Sequence, residues 1–327
     1  MTPERLDTLL EAVRGVRVVV VGDLMLDVYL RGSASRISPE APVPVVRVAE
    51  EWVALGGAAN VASNVVALGA GCDVVGCVGT DRSGERLREA LLRIGVRDVG
   101  VCRVEGRPTT VKTRILARHH QVARYDVEAE DDVDAACAER LVAAIESLLD
   151  GAHALVLEDY NKGVLAPRVI EAALAAAARH RIPVVVDPKS RNFFAYGGAT
   201  VFKPNQGELA AALQAPVAAD DAEWMEHTRR RLGCAHLLVT LGEGGMALLT
   251  ESGEYVRVPT AARSVYDVSG AGDTVTAVVA AALGAGAGVV EAAVLANHAA
   301  GIEVGKAGVA TVSPDELRAT IRQHQNA

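Results

Sequence analysis

The hydrophobic pattern of the chain alternates between short apolar runs and longer segments in which apolar residues recur every three or four positions. Val16–Val21 is a β-branched run interrupted only by Arg17, which indicates a strand buried on both faces. Ala58–Leu68 and Pro167–His180 show the spacing of helices instead. From about Asp132 onward, strands and helices alternate regularly. This alternation predicts a doubly wound, mostly parallel α/β sheet flanked by helices.

The same criteria give the order of the elements along the chain. The predicted helices are Thr2–Val13, Ala58–Leu68, Ser83–Ile94, Val133–Leu149, Pro167–His180, Gly207–Leu213, Ala222–Leu232, Gly272–Leu283, Val289–Val304 and Pro314–Gln323. The predicted strands of the main sheet are Val16–Val21, Asp73–Val78, Ala154–Leu157, Val184–Val186, Thr200–Phe202 and His236–Thr240, followed by a hairpin within Gly245–Val258.

Two segments depart from this alternation and predict a second, smaller sheet. Arg31–Val48 is rich in turn residues and proline and has only a short extended stretch, which suits an edge strand or a lid. Thr109–Leu116 and Val122–Asp126 have the pattern of antiparallel strands. We therefore expect one domain over residues 1–327, with a small β-sheet lid formed by residues of about 29–52 and 101–127.

Composition and charge exclude several classes of partner. The 327 residues carry a net charge of −8 and only 3% aromatic residues, which disfavours a basic nucleic-acid interface and base-stacking platforms. No apolar run reaches the roughly 20 residues that span a bilayer. The five cysteines are scattered, without a Cys-x-x-Cys pair, which indicates reduced thiols. We expect a cytoplasmic protein that binds neither nucleic acid nor membrane.

The strongest chemical signal is the segment Tyr266–Thr274, which contains Gly270-Ala271-Gly272-Asp273 before an Ala/Val-rich helix. Small residues at a helix N-terminus present several backbone N–H groups, and such a site attracts anions, phosphate above all. A carboxylate at that position would repel the anion, but it is well placed to remove a proton from an attacking hydroxyl. The alternative is a glycine turn in which Asp273 only caps the helix.

Three weaker motifs have a functional and a structural interpretation each. Gly56-Gly57 and Asn60 at a helix start allow close approach of a ligand, but a helix start alone explains them equally well. Asn205 and Glu208 offer oxygen ligands that suit Mg²⁺ near phosphates, and the same spacing fits a capping box. Val239–Gly245 is a strand and glycine turn that could border a nucleotide or simply form a hairpin.

Taken together and in this order, these motifs resemble the ribokinase-like (PfkB) family of carbohydrate kinases, over roughly Val16 to Val312. Other phosphate-binding signatures, the Gly-x-Gly-x-x-Gly fingerprint and the P-loop, are absent from the sequence. The resemblance implies a central sheet flanked by helices, a β-sheet lid over the sugar, and ATP and Mg²⁺ as cofactors. It also implies a homodimer formed through the lid sheets.

The resemblance further implies residue roles. Asp273 would act as the base, and the N–H groups of Gly270, Ala271 and Gly272 would stabilise charge on the phosphoryl oxygens. Asn205 and Glu208 would hold Mg²⁺, through water. The sugar would contact Asp23, Asp27, Gly56, Gly57 and Asn60. The nucleotide would contact Asn205, Glu208, Thr240, Gly242, Gly245 and Asn297.

Longer strings narrow the resemblance to those members of the family that phosphorylate D-glycero-β-D-manno-heptose 7-phosphate at C1, in the ADP-heptose pathway to the lipopolysaccharide core. These strings are Gly22–Asp27, Ser35–Val45, Thr110–Arg114, Asp159–Gly163 and Asp187–Lys189. Alternatives are another sugar kinase of the family, acting on fructose 6-phosphate or ribose, a nucleoside kinase, which the scarce aromatics disfavour, and a catalytically idle sugar-binding protein.

A phosphorylated sugar needs cations around its own phosphate. The candidates are Arg36, Lys112, Arg114, Lys162 and Lys189, and surface ion pairing is the alternative for each of them. In many relatives this kinase is fused to a nucleotidyltransferase. Because the sequence lacks the His-x-Gly-His motif of that domain and ends at Ala327, we expect a stand-alone kinase or an isolated kinase half.

Overall fold

The structure is a computed structural model that describes residues 1–118, 120–262 and 264–325; residues 119, 263, 326 and 327 of the predicted domain lie outside it. The strands are β1 (Arg17–Gly22), β2 (Leu24–Ile37), β3 (Pro44–Gly57), β4 (Gly71–Gly79), β5 (Arg97–Val104), β6 (Thr110–Ala117), β7 (His120–Val127), β8 (Ala154–Glu158), β9 (Val184–Asp187), β10 (Val201–Phe202), β11 (His236–Thr240), β12 (Met246–Leu249) and β13 (Tyr255–Val258). The helices are α1 (Pro3–Val13), α2 (Ala58–Ala67), α3 (Arg82–Arg93), α4 (Ala135–Leu149), α5 (Pro167–His180), α6 (Gln206–Leu213), α7 (Ala222–Leu232), α8 (Ala271–Gly284), α9 (Val289–Glu303) and α10 (Pro314–Gln325).

A mixed sheet with the strand order β13-β12-β11-β10-β9-β8-β1-β4-β5 forms the centre of the protein. All neighbours pair in parallel except β11–β12 and β12–β13, which are antiparallel. Along β1, Val18 and Val20 pack into one hydrophobic core and Val19 and Val21 into the other, on the opposite face. The continuous valine run is therefore buried on both faces, and the predicted doubly wound α/β fold is confirmed.

Helices cover both faces of this sheet. The core on one face contains side chains of α1, α2, α3, α8, α9 and α10, and the core on the other face contains those of α4, α5, α6 and α7. Helix α8 is buried along most of its length, which explains its Ala/Val-rich sequence. Among the described residues, no helix has the length and apolar character needed to cross a membrane.

The second sheet has four strands in the order β3-β2-β6-β7. Strand β2 begins at Leu24, directly after β1, and pairs antiparallel with β3 and parallel with β6. The segment predicted as turn-rich is mostly a long hairpin, in which strand structure is interrupted only between Ile37 and Pro44. Its polar residues reflect exposure, because the outer halves of β2 and β3 are largely solvated.

One part of the predicted lid is wrong. Residues 101–104 belong to β5, which pairs in parallel with β4 at the edge of the large sheet, with Cys77 opposite Cys102. The small sheet begins only at Thr110 in this part of the chain. Pairing between β4 and β5 depends on the crossover through α3, which a local strand pattern does not reveal.

Candidate active site

A cavity of about 720 Å³ opens where the carboxyl ends of β8, β9 and β11 meet the N-terminus of α8. Crevices outside the carboxyl ends of parallel strands are the usual ligand sites of open α/β sheets. Of the predicted site residues, the cavity is lined by Lys189, Asn205, Glu208, Thr240, Gly242, Gly245, Gly270, Ala271, Gly272, Asp273 and Asn297. The residues predicted to bind the nucleotide and those predicted to act in catalysis therefore lie in one place.

Asp273 lies in the first turn of α8 and is only 4% exposed. Its Oδ2 accepts a hydrogen bond from Asn60 Nδ2 at 2.7 Å and its Oδ1 accepts one from the Tyr160 hydroxyl at 2.8 Å. Burial raises the pKa of this carboxyl to about 6, although both hydrogen bonds favour the charged form. Because Gly270 is the N-cap and no side chain caps the helix, Asp273 does not serve as a cap.

Glycine at position 270 is required by the conformation of the loop. Gly270 has a φ of 98°, and a Cβ added there would come within 2.9 Å of Asn60 Nδ2. The first N–H groups of α8 have no acceptor within the helix. The helix N-terminus next to the cavity is therefore suited to bind an anion such as a phosphate group.

A chain of buried amides fixes the side chain of Asn60. Asn60 Oδ1 accepts a hydrogen bond from Asn64 Nδ2 at 3.2 Å, and Thr274 Oγ1 donates one to Asn64 Oδ1 at 3.2 Å. This orients the Asn60 amide with its N–H group towards Asp273. Gly56 and Gly57 lie just before α2, where a Cβ at Gly56 would collide with the Asp27 carboxylate. They allow close packing of β2 against β3, and neither lines the cavity.

Asp23 has a structural role that was not predicted, and its contact with the sugar stays a prediction. The Asp23 carboxylate is buried and accepts hydrogen bonds from the backbone N–H groups of Tyr160, Lys162 and Val164, at 2.8, 2.9 and 3.1 Å. Both oxygens are thus used to anchor the loop that follows β8. Asp23 positions that loop from behind, and it does not line the cavity.

Asp27 is paired with a cation from the neighbouring strand. Its carboxylate forms a buried ion pair with Arg114 of β6. The Arg114 guanidinium also lies 5.2 Å from the centre of the Tyr29 ring, and Tyr29 stacks on Trp52 with 5.0 Å between the ring centres. Arg114 is therefore held in place by a carboxylate and an aromatic face.

The other candidate cations differ in their partners. Lys162 pairs with Glu128 at 2.9 Å and with Glu130 at 3.1 Å, and Lys189 pairs with Glu208. Arg36 lies in the exposed part of the β2–β3 hairpin.

Lys112 has no carboxylate ion-pair partner among the residues that the structure describes. Its Nζ lies 5.1 Å from the centre of the Tyr160 ring. Burial lowers the pKa of Lys112, since nearby carboxylates do not fully offset the loss of water.

Asn205 and Glu208 form a capping box at the start of α6. Asn205 Oδ1 accepts a hydrogen bond from the Glu208 N–H at 2.8 Å, and Glu208 Oε2 accepts one from the Asn205 N–H at 2.9 Å. The structural interpretation of this spacing is thus correct. Both side chains also border the cavity, so a role near Mg²⁺ stays a prediction, with part of their oxygen surface already used.

A cluster of three carboxylates lies at the floor of the cavity. Oxygen atoms of Glu158, Asp187 and Asp273 come within 4.8 Å of one another. Glu158 and Asp187 are the last residues of β8 and β9 and lie side by side in the parallel register. Glu158 is 0% exposed, and neither of its carboxylate oxygens has a hydrogen-bond partner among the described residues. An unpaired buried carboxylate is costly, and burial raises its pKa well above the usual range.

This cluster fits a hard divalent cation. Carboxylate oxygens are the donors that Mg²⁺ prefers, and a cation would satisfy the two unpaired oxygens of Glu158. The buried Lys203 ammonium lies 2.8 Å from Asp187 Oδ2 and compensates only part of the negative charge. Glu158 and Lys203 were not identified as site residues from the sequence, and Asp187 was noted only as part of the string Asp187–Lys189. A carboxylate closing each of two apolar strands was the signal that could have identified the pair.

Comparison with known proteins agrees with this geometry. The sequence profile described as "pfkB family carbohydrate kinase" matches residues 16–316. "Bifunctional protein HldE" of Pelobacter propionicus is 44% identical over 97% of this chain, and the protein of the same name from Stutzerimonas stutzeri is 46% identical over 95%. The chain spans 65% and 64% of the length of these two relatives.

Solved structures show the same fold at lower identity. Phosphofructokinase-2 from Escherichia coli in complex with potassium superposes with a TM-score of 0.78 at 20% identity, covering 95% of this chain and 99% of the other. Ribokinase from Arabidopsis thaliana, complexed with ribose and ATP, gives 0.72 at 22% identity, covering 94% and 98%. The fold is therefore ribokinase-like. Together with the profile match over most of the sequence, this establishes that the chain belongs to the pfkB family of carbohydrate kinases.

Proposed function

We propose that the protein transfers the γ-phosphoryl group of ATP to the C1 hydroxyl of D-glycero-β-D-manno-heptose 7-phosphate, as a step towards ADP-heptose for the lipopolysaccharide core. The products are the 1,7-bisphosphate and ADP. The observation that carries the proposal is the buried Asp273 carboxylate at the N-terminus of α8, bonded to Asn60 and Tyr160 beside the cavity. The heptose-specific part rests on the five strings that resemble heptose 7-phosphate kinases.

Asp273 has the position and environment of a general base. Each of its oxygens accepts one hydrogen bond, so a lone pair stays available for the acceptor hydroxyl. The C1 oxygen attacks the γ-phosphorus as its proton passes to Asp273, and the bond to the β,γ-bridging oxygen breaks. The N–H groups of Gly270, Ala271 and Gly272 stabilise the charge on the transferring phosphoryl oxygens; a donor of this kind contributes about 10²–10³ in turnover.

When it is bound, Mg²⁺ would neutralise negative charge on the phosphates of ATP. Glu158 and Asp187 are the residues that would hold it, because both carboxylate oxygens of Glu158 are unpaired and Asp187 lies beside Glu158 in the parallel register. Asn205 and Glu208 lie on the same cavity wall and would act on it through water. The adenosine part of ATP would lie along Thr240, Gly242, Gly245 and Asn297.

The phosphate of the substrate needs a cation that is not already neutralised. Arg114, Lys162 and Lys189 each have a carboxylate partner, and Arg36 lies on the exposed hairpin. Lys112 therefore meets this condition best. Lys112 belongs to the small sheet and reaches Tyr160, which lines the cavity. A sugar phosphate spanning from Asp273 to Lys112 would place its hydroxyl at the base and its phosphate beneath the small sheet.

We further propose that the protein forms a homodimer and acts in the cytoplasm. Exposed apolar side chains lie on β7, at Val122, Tyr125 and Val127, and at the tip of the β2–β3 hairpin, at Ile37 and Val43. Strand β7 lies at an edge of this sheet, and edge strands with exposed apolar residues readily pair with a second copy. We expect the two small sheets to form the interface.

The decisive experiment is a coupled ADP-release assay over a panel of acceptors: heptose 7-phosphate, sedoheptulose 7-phosphate, fructose 6-phosphate, ribose and adenosine. The expected result is Asp273-dependent turnover with heptose 7-phosphate, with phosphorus NMR of the product showing a second phosphate at C1. Preferred turnover of fructose 6-phosphate or ribose would replace the proposed substrate with another sugar. Turnover of none of the five would argue for a sugar-binding protein without kinase activity.

A further inference from the structure

Tyr160 is a cavity residue to which no role was assigned from the sequence. It follows β8 and lines the cavity next to Glu158. Its hydroxyl donates a hydrogen bond to Asp273 Oδ1 at 2.8 Å. A phenol has a single O–H, and here it is directed at the carboxylate, so Tyr160 donates and Asp273 accepts.

The position of Tyr160 is fixed from two sides. Its backbone N–H donates to the buried Asp23 carboxylate at 2.8 Å, which anchors the loop. Two ammonium groups lie near its ring, Lys112 Nζ at 5.1 Å from the ring centre and Lys189 Nζ at 5.2 Å. Cations at such distances from an aromatic ring are attracted to its face. The ring is thus held between the small sheet, which provides Lys112, and the large sheet, which is followed by Lys189.

Asn60 and Tyr160 bind different oxygens of the same carboxylate. Asn60 Nδ2 occupies Oδ2 of Asp273, and the Tyr160 hydroxyl occupies Oδ1. A carboxylate bonded at both oxygens cannot rotate about its Cβ–Cγ bond without breaking one of these bonds. With only Asn60 in place, the carboxylate would retain one fixed oxygen, and the lone pair aimed at the acceptor hydroxyl would be less well defined.

We propose that Tyr160 is a positioning residue for Asp273, which orients the carboxylate for proton transfer through its hydroxyl. This inference rests on the proposed kinase activity, but its structural part does not depend on which sugar is the substrate. The ring of Tyr160 serves to place the hydroxyl, and Asp23, Lys112 and Lys189 serve to place the ring. Removing the hydroxyl alone should therefore affect the chemical step more than substrate binding.

The test is Tyr160→Phe, with Tyr196→Phe as the matched control. Tyr196 is also buried and donates to a carboxylate, Asp159 Oδ2, at 2.7 Å, but it does not line the cavity. With the acceptor that the wild type turns over, Y160F should lower kcat about 10- to 100-fold and change the KM of the sugar less than twofold. Y196F should retain the kcat of the wild type. Equal kcat in Y160F and the wild type would overturn the proposal.

A second measurement needs no substrate. The Tyr160 hydroxyl proton, bonded to a carboxylate, should give a downfield proton resonance that is lost in Y160F and persists in Y196F. Asp273→Ala should shift or abolish the same resonance, and a resonance unchanged in D273A would overturn the assigned pairing. If no acceptor in the panel is turned over, the proposed function fails. If the wild type is active and Y160F is equally active, only the role of Tyr160 fails.

Discussion

Asn60 Nδ2 and Asp273 Oδ2 lie 2.7 Å apart, although 213 positions separate the two residues along the chain. Asn60 belongs to the first turn of α2 and Asp273 to the first turn of α8, and these two helices pack on the same face of the large sheet. The contact joins two glycine-containing motifs of the sequence, Gly56–Asn60 and Gly270–Asp273. It places an amide donor of the first motif directly on the carboxylate of the second.

The first prediction concerns Asp273→Asn. The amide is isosteric, and its oxygen can still accept from Asn60, so the variant should fold with a melting temperature close to that of the wild type. It cannot take a proton from the acceptor hydroxyl, and kcat should fall by about 10²–10⁴-fold. Steady-state kinetics with the preferred acceptor measure this. Turnover near that of the wild type would exclude Asp273 as the base.

The second prediction concerns Glu158→Gln. This change replaces a buried carboxyl without a hydrogen-bond partner by a group that is neutral at every pH, so at an alkaline pH that ionises the carboxyl the protein without metal should become more stable, by about 1–3 kcal/mol in the free energy of unfolding. Affinity for Mn²⁺ in the absence of nucleotide should fall about 10- to 100-fold, a range typical for the loss of groups at metal sites. Urea unfolding and electron paramagnetic resonance of free Mn²⁺ measure the two effects.

Glu243→Gln is the control for the metal measurement. Glu243 also borders the cavity but is exposed, so its loss should leave both the free energy of unfolding and the Mn²⁺ affinity unchanged. Equal Mn²⁺ binding by the wild type and E158Q would show that Glu158 is not a ligand. Asn205 and Glu208 would then be the remaining candidates for the metal site.

The third prediction separates two candidate cations for the phosphate of the substrate. Lys112→Met retains the length of the side chain and removes its charge. It should raise the KM for the sugar phosphate about 10- to 100-fold, with a smaller effect on kcat, because a charge-assisted contact contributes about 1.5–3 kcal/mol. Arg36→Ala, on the exposed hairpin, is the comparison. If the KM rises only in R36A, then Arg36 and not Lys112 binds the phosphate.

The fold was predictable because its signals are local. The valine run of β1 indicates a strand that is buried on both faces, whichever strands pair with it. The Ala-rich stretch of α8 likewise indicates a helix that is buried on all sides. The position of Asp273 at a helix start beside the cavity was predictable for the same reason, since a glycine-rich turn before a helix is visible in the sequence. The positions of residues whose contacts come from distant parts of the chain were not predictable. The structural role of Asp23 was not predicted because nothing nearby shows that the loop after β8 returns to bind it.

The carboxylate cluster was not predictable either, because its members come together only through strand pairing. Glu158 and Asp187 are 29 positions apart in sequence numbering and become neighbours only through the parallel register of β8 and β9. The strand β5 was misassigned to the small sheet for a comparable reason, as its partner β4 is reached through a helical crossover. Local patterns thus predict which residues are buried, whereas the register decides which of them meet.

The fourth prediction concerns the small sheet as an interface. The wild type should sediment as a dimer, and the double variant Tyr125→Glu/Val127→Glu should sediment as a monomer, because two charges would be buried in an apolar contact. Val99→Glu is the control, since Val99 is also exposed and lies on β5, an edge strand of the large sheet. Sedimentation velocity measures the three proteins. A monomeric wild type would contradict the proposed homodimer.

The fifth prediction is a pH dependence of stability that arises from Glu303. This residue ends α9, and its side chain is buried near Gly270. Burial, together with the nearby carboxylates of Asp267 and Asp273, raises the pKa of its carboxyl to about 8. The unfolded chain has a pKa of about 4.3 for such a group. Folding therefore favours the protonated form, and the contribution of Glu303 to stability is fully present below pH 4.3 and is lost as the pH rises to about 8.

Glu303→Gln should remove this loss, since the amide is neutral at every pH. The free energy of unfolding of the variant relative to the wild type should increase between pH 5 and pH 8, by at most about 1.4 kcal/mol for each pH unit, and then level off. Urea unfolding at several pH values measures the difference, and Glu254→Gln, at an exposed position, controls for the loss of one negative charge. A constant difference between E303Q and the wild type over this range would mean that Glu303 does not bind its proton more tightly in the folded protein.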